Sequence, residues 1–273
     1  MQLNRTRRQR YARQLALPEL GTAGQARLLA GRVLIVGLGG LGSPAALYLA
    51  AAGVGCLGLM DADTVELGNL QRQLIHGVAD LGRLKVKSAA ATLRALDPSI
   101  RLRLHPWRLT AAKAARVLAG YDFIIDATDN FPSKFLIAAA CHAAGKPYSH
   151  AGIREFIGQT LTVIPGRTTC YRCIFEPPSS AEVPAPPRGP MGFVPGVLGT
   201  IQAAEAIRYL AKIGTMLTNR VLIFDALALT FRSVAVQRNI HCPLCGLARQ
   251  PRGTDGGRTM RRAAIQTSTR LAK

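Results

Sequence analysis

Two Cys-x-x-Cys pairs, Cys170 with Cys173 and Cys242 with Cys245, carry the most specific chemistry in the sequence. Four soft thiolates so arranged suit a tetrahedral Zn²⁺ with no open position, a clamp rather than a reactive centre. A pair of disulfides is the rival reading; it belongs to an oxidising compartment, for which the first residues carry no secretion signal. Cys56 and Cys141, set in apolar segments, read as buried core thiols. The second constellation is Gly37-Leu-Gly39-Gly40-Leu-Gly42, with Asp61 nineteen positions beyond its last glycine. Glycines so spaced allow a tight turn and bring backbone N–H groups up to a polyphosphate at a helix N-terminus. A carboxylate at that remove accepts ribose hydroxyls. The two features indicate a nucleotide, and a nicotinamide-dependent dehydrogenase would show both.

More polar material follows than hydride transfer requires. Asp61 and Asp63 lead into Asn69, Leu70, Gln71, Arg72 and Gln73. Arg72 and Lys85 supply cations for phosphate oxygens. The run Asp126-Ala-Thr-Asp129-Asn130, at the end of a later strand, sets a carboxylate where Mg²⁺ can be held. Triphosphate handling explains this set better than a dehydrogenase does.

These residues need a scaffold that collects strand ends. Arg32 to Val36 is a short β-branched run stopped by glycine, a buried parallel strand. A helix from Ser43 to Ala51 and a strand from Val54 to Met60 complete a βαβ unit. Further strands are expected at Ile100–Leu104, Tyr121–Ile125 and Lys146–Ala151, with helices at Gly82–Leu96, Ala111–Leu118 and Phe135–Ala144 between them. The fold class is therefore α/β, a doubly wound Rossmann-like sheet. An amphipathic helix over Tyr11–Ala30 precedes it. Extended segments at Gln159–Ile164 and Val221–Val236, flanking a helix at Ile201–Ile213, form a smaller mixed C-terminal region. Seven prolines between Pro177 and Pro195 exclude helix and central strand there and predict a surface loop.

The chain of 273 residues is 48% hydrophobic, with a mean hydropathy of +0.15. That excludes a largely disordered chain, and no apolar run reaches the roughly 18 residues of a membrane span. A cytoplasmic protein with no membrane partner is expected. Thirty-five Lys and Arg against fifteen Asp and Glu give a net charge of +20, concentrated in part at both ends. Such a balance attracts nucleic acid, anionic surfaces or acidic proteins. Only 5% of residues are aromatic and none interleave with a basic stripe, so nucleic acid is not the expected main partner.

From Arg10 to Cys245 the sequence resembles the ThiF/MoeB family, bacterial relatives of ubiquitin-activating enzymes. The resemblance is carried by Arg10-Tyr-Ala-Arg13-Gln14, Gly37 to Gly42, Asn69 to Gln73, Gly82-Arg-Leu-Lys85, Asp126 to Asn130, Gly158-Gln159, both cysteine pairs and Gln202-Ala-Ala-Glu-Ala206. It implies that ATP with Mg²⁺ is attacked by the C-terminal glycine carboxylate of a ubiquitin-like sulfur carrier ending in Gly-Gly, giving an acyl-adenylate and pyrophosphate. It makes Gly40 and its neighbours the nucleotide loop and Asp61 the ribose ligand. Asn69, Arg72 and Lys85 become phosphate contacts, and Asp129 the magnesium-linked carboxylate. Arg13 would reach the nucleotide of the other subunit, implying a homodimer. Many members carry a cysteine on the crossover loop, where an ungapped match puts Ala185, so the reaction is expected to stop at the acyl-adenylate and sulfur to come from a separate protein. The expected organisation is a helical arm over 1–30, a nucleotide-binding domain over 31–165, a zinc-tied region with crossover loop and carrier-binding sheet over 166–249, and a disordered basic tail over 250–273. A non-catalytic scaffold for a ubiquitin-like partner or nucleic acid, and the dehydrogenase, remain the alternatives.

Overall fold

A computed structural model describes residues 3–177 and 189–246. Ala185 and the basic tail from residue 250, on which two expectations rest, lie outside the described residues. In chain order the elements are α1 (Arg5–Arg10), α2 (Ala12–Leu15), α3 (Gly21–Ala30), β1 (Arg32–Val36), α4 (Gly42–Ala51), β2 (Cys56–Met60), α5 (Lys85–Leu96), β3 (Arg101–His105) and α6 (Ala111–Leu118). They continue with β4 (Phe123–Asp126), α7 (Phe131–Ala143), β5 (Tyr148–Arg154), β6 (Ile157–Val163), α8 (Tyr171–Ile174), α9 (Phe193–Ala211), β7 (Arg220–Asp225) and β8 (Thr230–Ala235). One sheet of eight strands holds them in the order β3-β2-β1-β4-β5-β6-β7-β8.

The first five strands are parallel and the last three join antiparallel. The doubly wound sheet expected from the alternation of elements is present. Its strand order reverses between β1 and β4, and the chemistry-bearing turns lie at the C-terminal ends of these strands, where such sheets take their ligands. Alternate residues of β1 serve opposite faces: Val33 and Ile35 belong to the apolar cluster shared with α3, α4, α5 and α9, while Leu34 and Val36 belong to the one shared with α6, α7 and the cysteine pairs. Cys56 and Cys141 are buried.

Four elements differ from the sequence expectation, each for a local reason. The helix expected over Tyr11–Ala30 breaks into α2 and α3, because Pro18 turns Leu17 away from helical geometry and Gly21 takes a φ of +52°. Helix α7 begins at Phe131 rather than Phe135, capped by the Asn130 side chain, which accepts from the Ser133 N–H at 3.0 Å, with Pro132 in the first turn. Helix α9 begins at Phe193 and runs through Pro195, a correction to the reading that this proline excludes helix. In a first turn the missing N–H has no intrahelical partner to lose. The extended stretch from Val221 is a hairpin, its turn held by the Asp225 carboxylate, which accepts from the N–H groups of Leu227 and Ala228.

Helix α9 is fastened to the sheet by two polar side chains from its Gln202-to-Ala206 segment. The Gln202 amide donates to the carbonyls of Asp126 (2.9 Å) and Ser149 (3.1 Å). The carboxylate of Glu205, fully buried, accepts from the Thr162 hydroxyl (2.7 Å), the Leu217 N–H (2.7 Å) and the Arg208 guanidinium (2.8 Å). Glu205→Ala strands two buried donors, the Thr162 hydroxyl and the Leu217 N–H, while the half-exposed Arg208 turns to water, and is expected to cost about 3 kcal/mol. The check is urea unfolding, read as a lower midpoint at unchanged slope.

Candidate active site

The strand β1 ends in a turn that only glycine fits at two places. Gly37 has a φ of +96°, and a Cβ there would lie 2.6 Å from the Ala127 carbonyl oxygen at the end of β4. A Cβ on Gly42 would lie 2.0 Å from the Gly37 carbonyl oxygen, so the turn closes tightly onto the start of α4. Gly39 and Gly40 face side chains instead: a Cβ would meet the Gln73 amide at 3.7 Å, and Pro195 at 3.0 Å with Arg72 at 3.4 Å. The turn is thus walled by the segment from Asn69 to Gln73 and by the first turn of α9.

Asp61 ends β2 beside it. One carboxylate oxygen accepts from the Leu38 N–H (2.7 Å) and the other from the Asp63 N–H (2.9 Å), which fixes its orientation while leaving it half-exposed. Asn69 closes a 3₁₀ turn, its side-chain oxygen accepting from the Glu66 N–H at 3.2 Å. Leu70 is half-buried and Gln71 exposed. Arg72 donates to the Gly68 carbonyl at 3.0 Å. Gln73 is buried, and its side-chain oxygen has no hydrogen-bond partner among the described residues. Lys85 is buried too, its ammonium 3.5 Å from the Asp63 carboxylate.

Asp129 and Asn130 are exposed on the turn from β4 to α7, and the Asn130 amide donates to the Asp129 carboxylate at 3.2 Å. Beneath them Asp126 is buried and fully engaged. One oxygen accepts from the Thr128 N–H (3.1 Å) and hydroxyl (2.6 Å); the other accepts from His150 Nδ1 (2.9 Å), with the Lys134 ammonium 3.6 Å away. Asp129 is therefore the carboxylate of this turn open to a ligand. A single exposed carboxylate fits Mg²⁺, which takes one or two protein carboxylates and completes its shell with phosphates and water.

Arg13 is the predicted site residue the structure does not bring to the glycine turn. Its neighbour Gln14 donates to the Ala52 carbonyl at 3.2 Å, just past the C-terminal end of α4, whereas the glycine turn meets the N-terminal end of that ten-residue helix. About 15 Å of helix separates the two ends. Arg13 itself is exposed.

Sequence reasoning missed the roles of three buried groups. His76 sits under the glycine turn, one ring nitrogen 2.8 Å from the Ser88 hydroxyl and the other 3.1 Å from the Leu38 carbonyl oxygen. Lys134 donates to the Thr128 and Ala151 carbonyls, and His150 to the Asp126 carboxylate. None has a local signature, since each contacts residues that are distant in sequence or belong to a different element.

The four cysteines converge as expected. Cys170 lies 3.6 Å from Cys173 and 3.5 Å from Cys242, Cys173 lies 3.3 Å from Cys245, and all four sulfurs lie within 4.8 Å of one another. A zinc ion bound at about 2.3 Å would set tetrahedral sulfurs about 3.8 Å apart, so the donor set and spacing fit a structural zinc. The Asn239 N–H donates to the Cys173 sulfur at 3.4 Å. The cluster ties α8 to the segment after β8.

The ThiF family model matches residues 11–244. The chain belongs to the ThiF family. It is 43% identical over 248 residues to the SAMP-activating enzyme E1 of Haloferax volcanii, covering 90% of this chain and 92% of that one. It is 42% identical over 244 residues to the sulfur carrier protein adenylyltransferase of Thermus thermophilus, covering 87% and 90%. Against the adenylyltransferase and sulfurtransferase MOCS3 of Arabidopsis thaliana it is 44% identical over 240 residues, and this ThiF-family chain spans only 52% of that longer protein. Crystal structures of E. coli MccB share the fold, one with a TM-score of 0.78 at 23% identity over 89% of this chain and 76% of that one. No helix among the described residues is long and apolar enough to cross a membrane.

The buried groups set a pH dependence. Burial drives the His150 imidazole down from 6.5 to about 4, with the Lys134 ammonium adding to the fall. Burial raises the Asp126 carboxyl, but Lys134, His150 and Thr128 outweigh it and hold the group at about 2, below its ordinary 3.8. Both groups lie lower in the folded chain, so the unfolded chain takes up more protons and stability falls on acidification. His150 contributes from about pH 6.5 down to about 4 and Asp126 from about 3.8 to about 2. Denaturation midpoints measured against pH should show the first limb flattened, though not abolished, in His150→Asn, since burial also lowers His76, His105 and His142.

Proposed function

We propose that this chain adenylates the C-terminal glycine of a ubiquitin-like sulfur-carrier protein with ATP, releasing pyrophosphate. The observation that carries the proposal is the convergence at the sheet's switch point of the glycine turn, Asp61, Gln73, Arg72, Lys85 and the Asp129 turn, in a chain of the ThiF family. Its relatives of matching length are named for SAMP activation and sulfur-carrier adenylation.

In this reading Asp61 accepts the ribose hydroxyls, and the backbone at Gly39 and Gly40 leaves room for phosphates at the start of α4. Asn69, Arg72 and Lys85 contact phosphate oxygens. Lys85 is held over the site by Asp63 and needs only to turn from one anion to another. Mg²⁺, held through Asp129, would supply positive charge to the phosphates. The carrier's terminal carboxylate oxygen bonds to the α-phosphorus, and the bond from that phosphorus to the bridging oxygen breaks with its electron pair leaving on pyrophosphate. A carboxylate is already ionised at neutral pH, so no general base is required. Arg72 and Lys85 offset the charge that builds on the phosphates.

Arg13 serves the site of a second copy in a homodimer, which agrees with its place at the far end of α4 from its own glycine turn. The carrier docks on the antiparallel extension of the sheet, where β8 is exposed along its length with Leu227, Leu229 and Phe231. The net charge of +20 steers an acidic carrier towards it. The reaction ends at the acyl-adenylate, since the sequence holds no cysteine between Cys173 and Cys242 to take the acyl group. Sulfur then arrives from a separate donor protein.

Carrier-dependent exchange of labelled pyrophosphate into ATP tests this, and Asp129→Ala should lower it about a hundredfold or more. Absence of exchange with every Gly-Gly-tailed carrier tried would remove the proposal. Arg13→Ala and Asp129→Ala subunits, each inactive alone, should regain roughly a quarter of wild-type activity after mixing, because half the dimers are mixed and each carries one intact site.

A further inference from the structure

The Asp129 turn presents an exposed carboxylate, while buried groups beneath it hydrogen-bond its backbone. On one side of Thr128 its N–H and hydroxyl donate to Asp126 at 3.1 and 2.6 Å. On the other, its carbonyl accepts from the Lys134 ammonium at 2.6 Å, and the same ammonium donates to the Ala151 carbonyl of β5 at 2.7 Å. Asp129 is the next residue. His150 Nδ1 donates to the remaining Asp126 oxygen at 2.9 Å, and the ring is backed by Tyr171 at 4.5 Å and Phe175 at 5.9 Å. Tyr171 follows Cys170 directly, so the cysteine cluster supplies the back wall of this support.

Asp126, Lys134 and His150 are 1%, 6% and 2% exposed. A buried ion pair is a poor source of stability, since apolar side chains of the same volume commonly do as well. What an ammonium with three directed donors does better is fix a backbone. We propose that Lys134 and His150 are positioning residues for the turn over 127–130, holding Asp129 where it meets magnesium and phosphate. The proposal rests on the adenylation reading for its ligands, while the turn's rigidity can be measured without them.

The experiment compares four full-length variants, Lys134→Met, His150→Leu, Lys134→Arg and His150→Asn, with wild type. Two properties are read: the Mg²⁺ half-saturation of pyrophosphate exchange, and amide hydrogen exchange over 127–130 with neither nucleotide nor metal present. The Met and Leu variants should raise the Mg²⁺ half-saturation about tenfold. They should also speed amide exchange over 127–130, with the carrier's half-saturation unchanged. Arg and Asn, which restore a donor, should recover most of both. Wild-type Mg²⁺ dependence and amide protection in the Met and Leu variants, with only a lowered melting temperature, would overturn the proposal, as would failure of Arg and Asn to rescue. Should Lys134→Met not fold, Asp126→Asn combined with Lys134→Met removes both charges and carries the same expectation and the same refutation. If wild type adenylates no carrier the functional reading fails, and the amide exchange still decides the positioning claim.

Discussion

The near-contact of two backbones, the Gly37 turn after β1 and the Ala127 carbonyl after β4, is the constraint on which the rest of the structure depends. A Cβ on Gly37 would stand 2.6 Å from that carbonyl oxygen, and one on Gly42 would stand 2.0 Å from the Gly37 oxygen. The first approach joins the two strands between which the sheet reverses its order, at their C-terminal ends, and the second closes the turn onto α4. Three groups of the candidate site are tied to this seam: Asp61 accepts from Leu38 within the turn, His76 reaches the Leu38 carbonyl, and Asp129 follows Ala127 by two residues. The glycines therefore serve the architecture directly, by allowing backbone approaches that a side chain would block.

Charge is distributed around this seam in two layers. The outer layer, Asp129, Arg72 and Asp63, is exposed or half-exposed, with Arg72 on the Gly68 carbonyl and Asp63 between Lys85 and Arg108. The inner layer, Asp126, Lys134 and His150, is buried and mutually satisfied. Burial lowers the Lys134 ammonium and the His150 imidazole, while their proximity holds the Asp126 carboxyl below its ordinary range.

The cysteine cluster enters this scheme by its position. It lies on the α6–α7 side of the sheet, in the same apolar cluster as Leu34, Val36 and Ile124, and it fixes α8 so that Tyr171 faces His150. A four-thiolate clamp leaves no coordination position for chemistry. Its contribution is to bring the chain after β8 back to the chain after β6, closing the antiparallel extension onto the parallel core.

The sequence alone determined the parallel α/β core, the nucleotide-type turn and the four-sulfur cluster, because each is written in short-range spacing: a β-branched run stopped by glycine, a carboxylate at the next strand end, paired cysteines three apart. It was poorer at helix boundaries, where Pro18, Pro132 and Pro195 each took a different role. At Pro18 the chain breaks, whereas at the other two a first helical turn has no hydrogen bond to lose. Only the tertiary structure decided which carboxylate of Asp126 and Asp129 is spent inside and which faces out, that Arg13 lies away from its own glycine turn, and that His76, Lys134 and His150 are buried and hydrogen-bonded beneath these turns. Those facts depend on hydrogen bonds between elements far apart in the chain, and a buried donor or acceptor is given its partner by packing, which no local pattern of residues records.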